Sequence, residues 1–249
     1  MNELQPQERR TAVPAPELSV IVLCYRAGES ILLVIDPLYK QLASIGVDFE
    51  LVLVANYWPE QHDPTPVFAT QFAASRPEVR VIAREKEGAM GWDMRCGFEA
   101  ATGHFLVVMD GDAQNPVDDA VRMHQRMKES GADVMKGCRV LRHDGLYRRV
   151  VSIGYNALFR LLFRTVGLWD INGKPKALTR NAYERMRLKS DDWFIDAEIV
   201  LAARELGLRI EEMPVEFLPN PERASFVRPS AIWEFLANMA RYRRRRPNR

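Results

Sequence analysis

Cysteine is scarce in this chain. The three residues Cys24, Cys96 and Cys138 lie far apart, with no CxxC pair and no histidine at metal-ligand spacing. That excludes a disulfide framework and a structural zinc site, and a reducing cytoplasm is the expected setting. Long apolar runs are lacking as well. The longest stretch free of Asp, Glu, Lys and Arg is the 12 residues from Pro64 to Ser75, short of the ~20 apolar residues a spanning helix needs. Glycine and proline, 14 and 15 of 249 residues, are too few for a collagen-like or low-complexity chain. The opening MNELQPQERRTAVPAPE has no apolar core of a signal peptide and reads as a mobile lead-in over residues 1–17.

What is present is an ordinary globular balance, with 47% hydrophobic and 27% charged residues in a length that suits one large domain or two small ones. The net charge is +2, yet six arginines crowd between Arg241 and Arg249 with no acid after Glu234, so the basicity belongs to a tail over 241–249. Such a tail can stay solvated, or hold anionic lipid head groups at about 1 kcal/mol per basic residue. Phosphates of nucleic acid are a third option, but no aromatic-basic motif accompanies the arginines, and no nucleic-acid partner is expected.

Short apolar runs recur along the chain: LSVIVLCY from Leu18, FELVLVAN from Phe49, VRVIA from Val79, HFLVVMD ending at Asp110, and ADVMKGCR ending at Arg139. Each has the length of a strand buried on both faces. Between them, SILLVIDPLYKQLASIG, a segment from Val67 to Ser75, GWDMRCGFEAATG and a segment from Pro116 through Lys128 and Glu129 read as helices. Strands alternating with helices predict a mainly parallel sheet covered on both faces, with ligands beyond the carboxyl ends of the strands.

One strand end stands out. MDGDAQNP puts Asp110 and Asp112 straight after FLVVM, with Gly111 between them and Gln114 two residues on. Carboxylates at i and i+2 on a turning backbone can share one hard cation, Mg²⁺ or Mn²⁺, with the Gln114 oxygen as a third ligand and a substrate diphosphate completing the shell. The alternative is an Asp-Gly-Asp turn that only caps the next helix.

A strand, a DxDxQxP turn, an upstream GxxxRxGxxxAxG helix and a downstream FxDxE segment together resemble family 2 glycosyltransferases of the glycosyltransferase-A fold. The similarity is greatest to the dolichol- and polyprenyl-phosphate mannose and glucose synthases, and it covers roughly residues 18 to 242. Its pieces include SVIVLCY, KGCR, RVVSIGYN, DINGKPKALTR and DDWFIDAEIVLAARELGLRIEEMPVEF. The resemblance implies an α/β, Rossmann-like, mainly parallel sheet flanked by helices over 18–240, with a nucleotide-sugar half (18–115) and an acceptor half (116–240). It further implies donor contacts from Leu23, Cys24, Tyr25, Asn56, Arg84, Gly91, Arg95, Asp110 and Gly111, and a metal held by Asp110, Asp112 and Gln114. Two patterns depart from the family. Leu23-Cys24-Tyr25-Arg26-Ala27 stands where Pro-x-Tyr-Asn-Glu is common, and Ala55-Asn56-Tyr57-Trp58 where Asp-Asp-Gly-Ser is usual, so an acid expected at base or ribose is missing.

In the second half the resemblance puts Asp196 and Glu198 beside the acceptor, Asp196 as base or orienting acid, with Asp112 the third catalytic carboxylate. Helix N-terminal charge is the alternative for Asp192 and Asp196. A lipid phosphate acceptor would ask for cations, and Arg139, Arg149, Lys174, Lys176 and Arg223 are the candidates. SIGYNALFRLLFRTVGL carries Ser152, Asn156, Arg160 and Arg164 every four residues among apolar neighbours, so it is either a core helix or one lying in a membrane interface. The function expected from all this is inverting, metal-dependent hexose transfer from a GDP- or UDP-sugar to a polyprenyl phosphate, at the inner face of the membrane. A soluble acceptor, or nucleotide-sugar binding without catalysis, is the alternative.

Overall fold

The computed structural model describes residues 14–142, 146–165, 167–219 and 230–245. Seven strands, β1 (Leu18–Leu23), β2 (Phe49–Val54), β3 (Val79–Ile82), β4 (Phe105–Asp110), β5 (Val134–Arg142), β6 (Lys176–Thr179) and β7 (Ile210–Phe217), form one sheet. Their order is β3-β2-β1-β4-β6-β5-β7. The four amino-terminal strands are all parallel, as their uninterrupted apolar runs require, and β5 and β7 pair parallel too. The exception is β6, which runs antiparallel to both β4 and β5. This is the mainly parallel sheet that the resemblance implies.

Among the described residues eight α-helices flank it: α1 (Leu32–Ser44), α2 (Thr65–Ala73), α3 (Met90–Ala100), α4 (Asp118–Ser130), α5 (Leu146–Phe163), α6 (Arg180–Met186), α7 (Ile195–Glu205) and α8 (Ser230–Arg245). One core packs α1, α2 and α4 on one face of the sheet through Leu38, Phe72, Met123 and Met127; the other packs α3, α6 and α7 through Met94, Phe98, Ala182 and Ile199. A third cluster, with Phe159, Ile171, Val200 and Met239, joins α5, α7 and α8.

Several boundaries differ from the sequence expectation. The helix expected from Val67 begins at Thr65, where Pro66 fits the first turn and the Thr65 N–H donates to Asp63 at 3.0 Å. Strand β5 runs past Arg139 to Arg142 through an irregularity between Arg139 and Leu141. The lead-in expected through Glu17 is tied down before that point: His104 N–H donates to Pro16 O at 3.0 Å, Phe105 N–H to Glu17 O at 2.9 Å, and Glu17 pairs with Lys128. Residues 1–13 lie outside the described part. In the α5 region Asn156 is buried, Ser152 and Arg160 are half-buried and Arg164 is exposed, while Ile153 and Leu161 are 58% and 78% exposed.

Candidate active site

Parallel register brings Leu23, Val54 and Asp110 side by side at the carboxyl edge. The ladder continues one step beyond the strands, with Cys24 N–H donating to Val54 O at 2.8 Å and Gly111 N–H to Leu23 O at 2.9 Å. Chain order reverses between β1 and β4, because β1 is followed outward by β2 and β4 by β6. In open α/β sheets the ligand crevice lies outside the strand ends at such a reversal. Asp110 and Asp112 stand at this point of the sheet edge, the Asp110 side chain 33% exposed and Asp112 partly so. Asp112 Oδ1 accepts from Gln114 N–H at 3.1 Å, the self-capping turn read as the alternative, so the same carboxylate shapes its loop. Gln114 donates through Nε2 to Leu218 O at 3.1 Å, which leaves its Oε1 as the acceptor end of the amide.

Each expected donor residue has a definite place. Tyr25 lies partly buried beside the crevice, its hydroxyl donating to Gln61 at 2.9 Å and the Lys86 ammonium 4.6 Å from its ring centre. Leu23 and Cys24 are core residues, and Gly111 packs where a Cβ would meet Ile31 at 2.7 Å. Gly91 is likewise a packing residue, since a Cβ there would lie 2.5 Å from the carbonyl oxygens of Ser190 and Asp192. Arg95 pairs with Asp191 and contacts Glu99. Arg84 is exposed, and its backbone N–H donates to Asn56 Oδ1 at 2.9 Å.

Asn56 corrects one expectation. It is buried, and both ends of its amide are used internally, Oδ1 by Arg84 N–H and Nδ2 on Asp93 Oδ1 at 2.9 Å. Beside it lies Asp93 of α3, a buried carboxylate that also pairs with Lys86. Burial pushes the Asp93 carboxyl up, against the pull of Lys86 and Asn56. Asp93 and Lys86 were missed in the sequence. The available signal was a charged residue on the buried face of α3, between Gly91 and Met94.

The turn from Trp169 to Pro175 reaches the crevice from the other side, and charged groups hold it. Asp170 accepts from Arg139 Nε at 2.7 Å and Nη2 at 2.8 Å. Burial opposes its charge, but Arg139 and Lys136 outweigh that and bring the Asp170 pKa down to about 2. Lys136 pairs with Glu212, which also accepts from the N–H groups of Trp169 and Asp170. Arg139, expected as a phosphate clamp, is therefore a strut of this turn. At the turn's far end Lys174 Nζ lies 2.7 Å from Asp110 Oδ1 and 2.8 Å from Met90 Sδ. Although burial opposes its charge, Asp110, Asp196 and Asp112 hold the Lys174 pKa above its ordinary value.

Lys176 and Asp196 form a buried pair, Nζ to Oδ1 2.6 Å, with the second lysine contact to Gly173 O at 2.8 Å. Burial, reinforced by Lys136 and Lys174, takes the Lys176 pKa down to about 8 despite Asp196. Neither residue faces solvent: Lys176 is 0% and Asp196 3% exposed. This differs from the expected roles of phosphate contact and accessible base, because each side chain is already the other's counter-ion. Glu198 anchors a loop by accepting from Lys189 and Ser190 N–H, and Asp192 shapes the turn before α7 by accepting from Phe194 N–H at 2.8 Å. Arg223 lies outside the described residues, as does the side chain of Arg149.

A match to the model of glycosyl transferase family 2 covers residues 19–188. The chain belongs to that family. It is 29% identical over 226 residues to the glycosyltransferase AglD of Haloferax volcanii, covering 87% of this chain and 36% of the relative. To the dolichol-phosphate mannosyltransferase of Pyrococcus furiosus it is 26% identical over 235 residues, 90% of this chain and 63% of the relative. The chain thus spans about a third to under two thirds of those relatives. A solved structure of similar fold is glucosyl-3-phosphoglycerate synthase from Mycobacterium tuberculosis, in complex with Mn²⁺, UDP and glucosyl-3-phosphoglycerate. It has a TM-score of 0.63 at 18% identity, with 91% of this chain and 76% of that one covered. Within the family frame, this chain carries its aspartate pair at the sheet reversal and holds one of the two against a lysine of its own.

Proposed function

We propose that the chain transfers a hexose, with inversion, from a GDP- or UDP-sugar to the phosphate of a polyprenyl or dolichyl lipid. The observation that carries this is the placement of Asp110 and Asp112, both partly exposed, at the carboxyl edge of the sheet where chain order reverses between β1 and β4. The donor set suits Mg²⁺ or Mn²⁺: two hard carboxylates two residues apart, with the oxygen end of Gln114 nearby. Bound there with the donor, such an ion would supply positive charge to the departing diphosphate. Tyr25 would border the nucleoside, with the buried Lys86–Asp93 pair behind its ring, and Lys174 adds a second cation beside Asp110.

A phosphate acceptor is favoured by Asp196. A hydroxyl acceptor needs a base within reach of its proton, and Asp196 is locked to Lys176. A phosphate oxygen is already anionic at neutral pH. It would form the bond to the anomeric carbon as the bond to the donor diphosphate breaks, the electron pair leaving with the nucleoside diphosphate. The names of the relatives support a lipid carrier.

Among the described residues no helix is long and apolar enough to cross a membrane. A peripheral membrane position is supported by exposed Ile153 and Leu161 on α5, by Trp169, 66% exposed, and by exposed Arg241, Arg243 and Arg244 on α8.

Calorimetric titration of GDP, UDP and their mannose and glucose conjugates, with Mn²⁺ or with EDTA, tests the donor. Metal-dependent binding of one nucleotide, lost in Asp112→Ala, is expected, followed by transfer to polyprenyl phosphate in detergent. No binding of any would refute the donor reading; transfer only to a soluble phosphorylated acceptor would refute the lipid.

A further inference from the structure

The turn that carries Lys174 is pinned along its length. Lys174 O accepts from Asn115 Nδ2 at 3.1 Å, Ile171 N–H donates to Asn156 Oδ1 at 2.9 Å, and Asp170 is clamped by Arg139. Gly173 and Gly137 let it pass against β5, since a Cβ on Gly173 would stand 1.9 Å from Gly137 O. The backbone is therefore fixed, and only the four-carbon stem of Lys174 can move its ammonium. That ammonium is 5% exposed by side chain while its partner Asp110 is 33% exposed, so the carboxylate faces the crevice with the lysine behind it. An ammonium has three N–H donors. Here one strong acceptor, Asp110, and one weak one, the Met90 thioether, face it. Lys176 cannot take the same part, being fully buried on Asp196.

We propose that Lys174 is a built-in counter-ion of the Asp110–Asp112 pair: it competes with a divalent cation arriving alone, and turns from Asp110 to the diphosphate oxygens when the cation arrives with a nucleoside diphosphate. This rests on the donor-site reading above. With Lys174 in place the two carboxylates carry one net negative charge. A lone divalent ion reverses that sign beside an ammonium already using Asp110. A diphosphate brings enough negative charge to hold both cations, so metal and nucleotide favour each other's binding, reciprocally.

The test is Mn²⁺ binding to the full chain, followed by the paramagnetic resonance signal of free Mn²⁺, with and without UDP or GDP, in the wild type, Lys174→Met and Lys174→Arg. Without nucleotide, Lys174→Met binds Mn²⁺ about tenfold tighter or better, whereas Lys174→Arg, which keeps the charge, stays as weak as the wild type. With Mn²⁺ saturating, nucleoside diphosphate binding falls about tenfold in Lys174→Met. Since Asp110 is open to the crevice, it gains water when the lysine is removed and the variant is expected to fold. Lys174→Gln gives the same comparison should the methionine variant not. Equal Mn²⁺ affinity of the wild type and the uncharged variants without nucleotide overturns the proposal. Failure of the donor reading looks different: no variant, nor the wild type, binds either nucleoside diphosphate.

Discussion

Replacing Arg139 by methionine separates two roles for that arginine. If it clamps acceptor phosphate, Arg139→Met costs binding and little stability. If it holds the Trp169–Pro175 turn, as its paired bonds to Asp170 indicate, the variant leaves a carboxylate that is 6% exposed with Lys136 as its remaining cation. The size follows from linkage. The Asp170 pKa is about 2 against an ordinary 3.8, a difference worth about 2.5 kcal/mol at 1.36 kcal/mol per unit. Removing one member of a buried pair costs about 3–5 kcal/mol in other proteins, so about 2.5–4 kcal/mol is expected. For a chain of this length that lowers Tm by roughly 5–15 °C. The folded pKa lies below the unfolded one, so the stabilisation is complete above about pH 5 and is lost as pH falls towards 2. Urea melts at pH 7, 5, 4 and 3 should therefore show the penalty at the first two and a shrinking one below. A penalty under about 1 kcal/mol at pH 7, or one that does not change with pH, would refute the strut.

Three further outcomes follow from the same geometry. Lys176→Met strands Asp196 in the core and should cost about 3–5 kcal/mol by urea midpoint, with part recovered when Asp196→Asn is added; no recovery would mean that the two are not coupled. Gly91→Ala forces a methyl against the Ser190 and Asp192 carbonyls and should cost about 1–3 kcal/mol, with faster amide exchange at residues 189–192; unchanged exchange would contradict the close packing. Replacing exposed Arg243 and Arg244 with alanine should weaken binding to anionic vesicles by about 2 kcal/mol, roughly 30-fold, at low salt, and an undiminished affinity would exclude the tail as a membrane contact.

The buried parallel strands were legible because apolar runs such as LSVIVLCY and HFLVVMD have one reading, and the Asp110–Asp112 turn was legible because it interrupts such a run. Strand β6 was not. Its four residues begin with Lys176, a residue that local pattern assigns to a surface, and its burial is possible only because Asp196 arrives from α7. Its direction depends on pairing with β4 and β5, both far away in the chain.

That same dependence on distant partners explains which site residues changed meaning. A lysine or arginine near a proposed phosphate site looks available in sequence, since nothing local neutralises it. In the fold Arg139 meets Asp170, Lys136 meets Glu212, Lys176 meets Asp196 and Lys86 meets Asp93, each partner on another element or turn. Burying a charge without a partner is prohibitive, so these cations were committed once the chain packed. Lys174 differs from them in one respect: its carboxylate is the one that faces the crevice. The pair that completes the lysine's burial is also the pair that a diphosphate and its cation can exchange, which makes Lys174 the cation through which folding and donor binding meet.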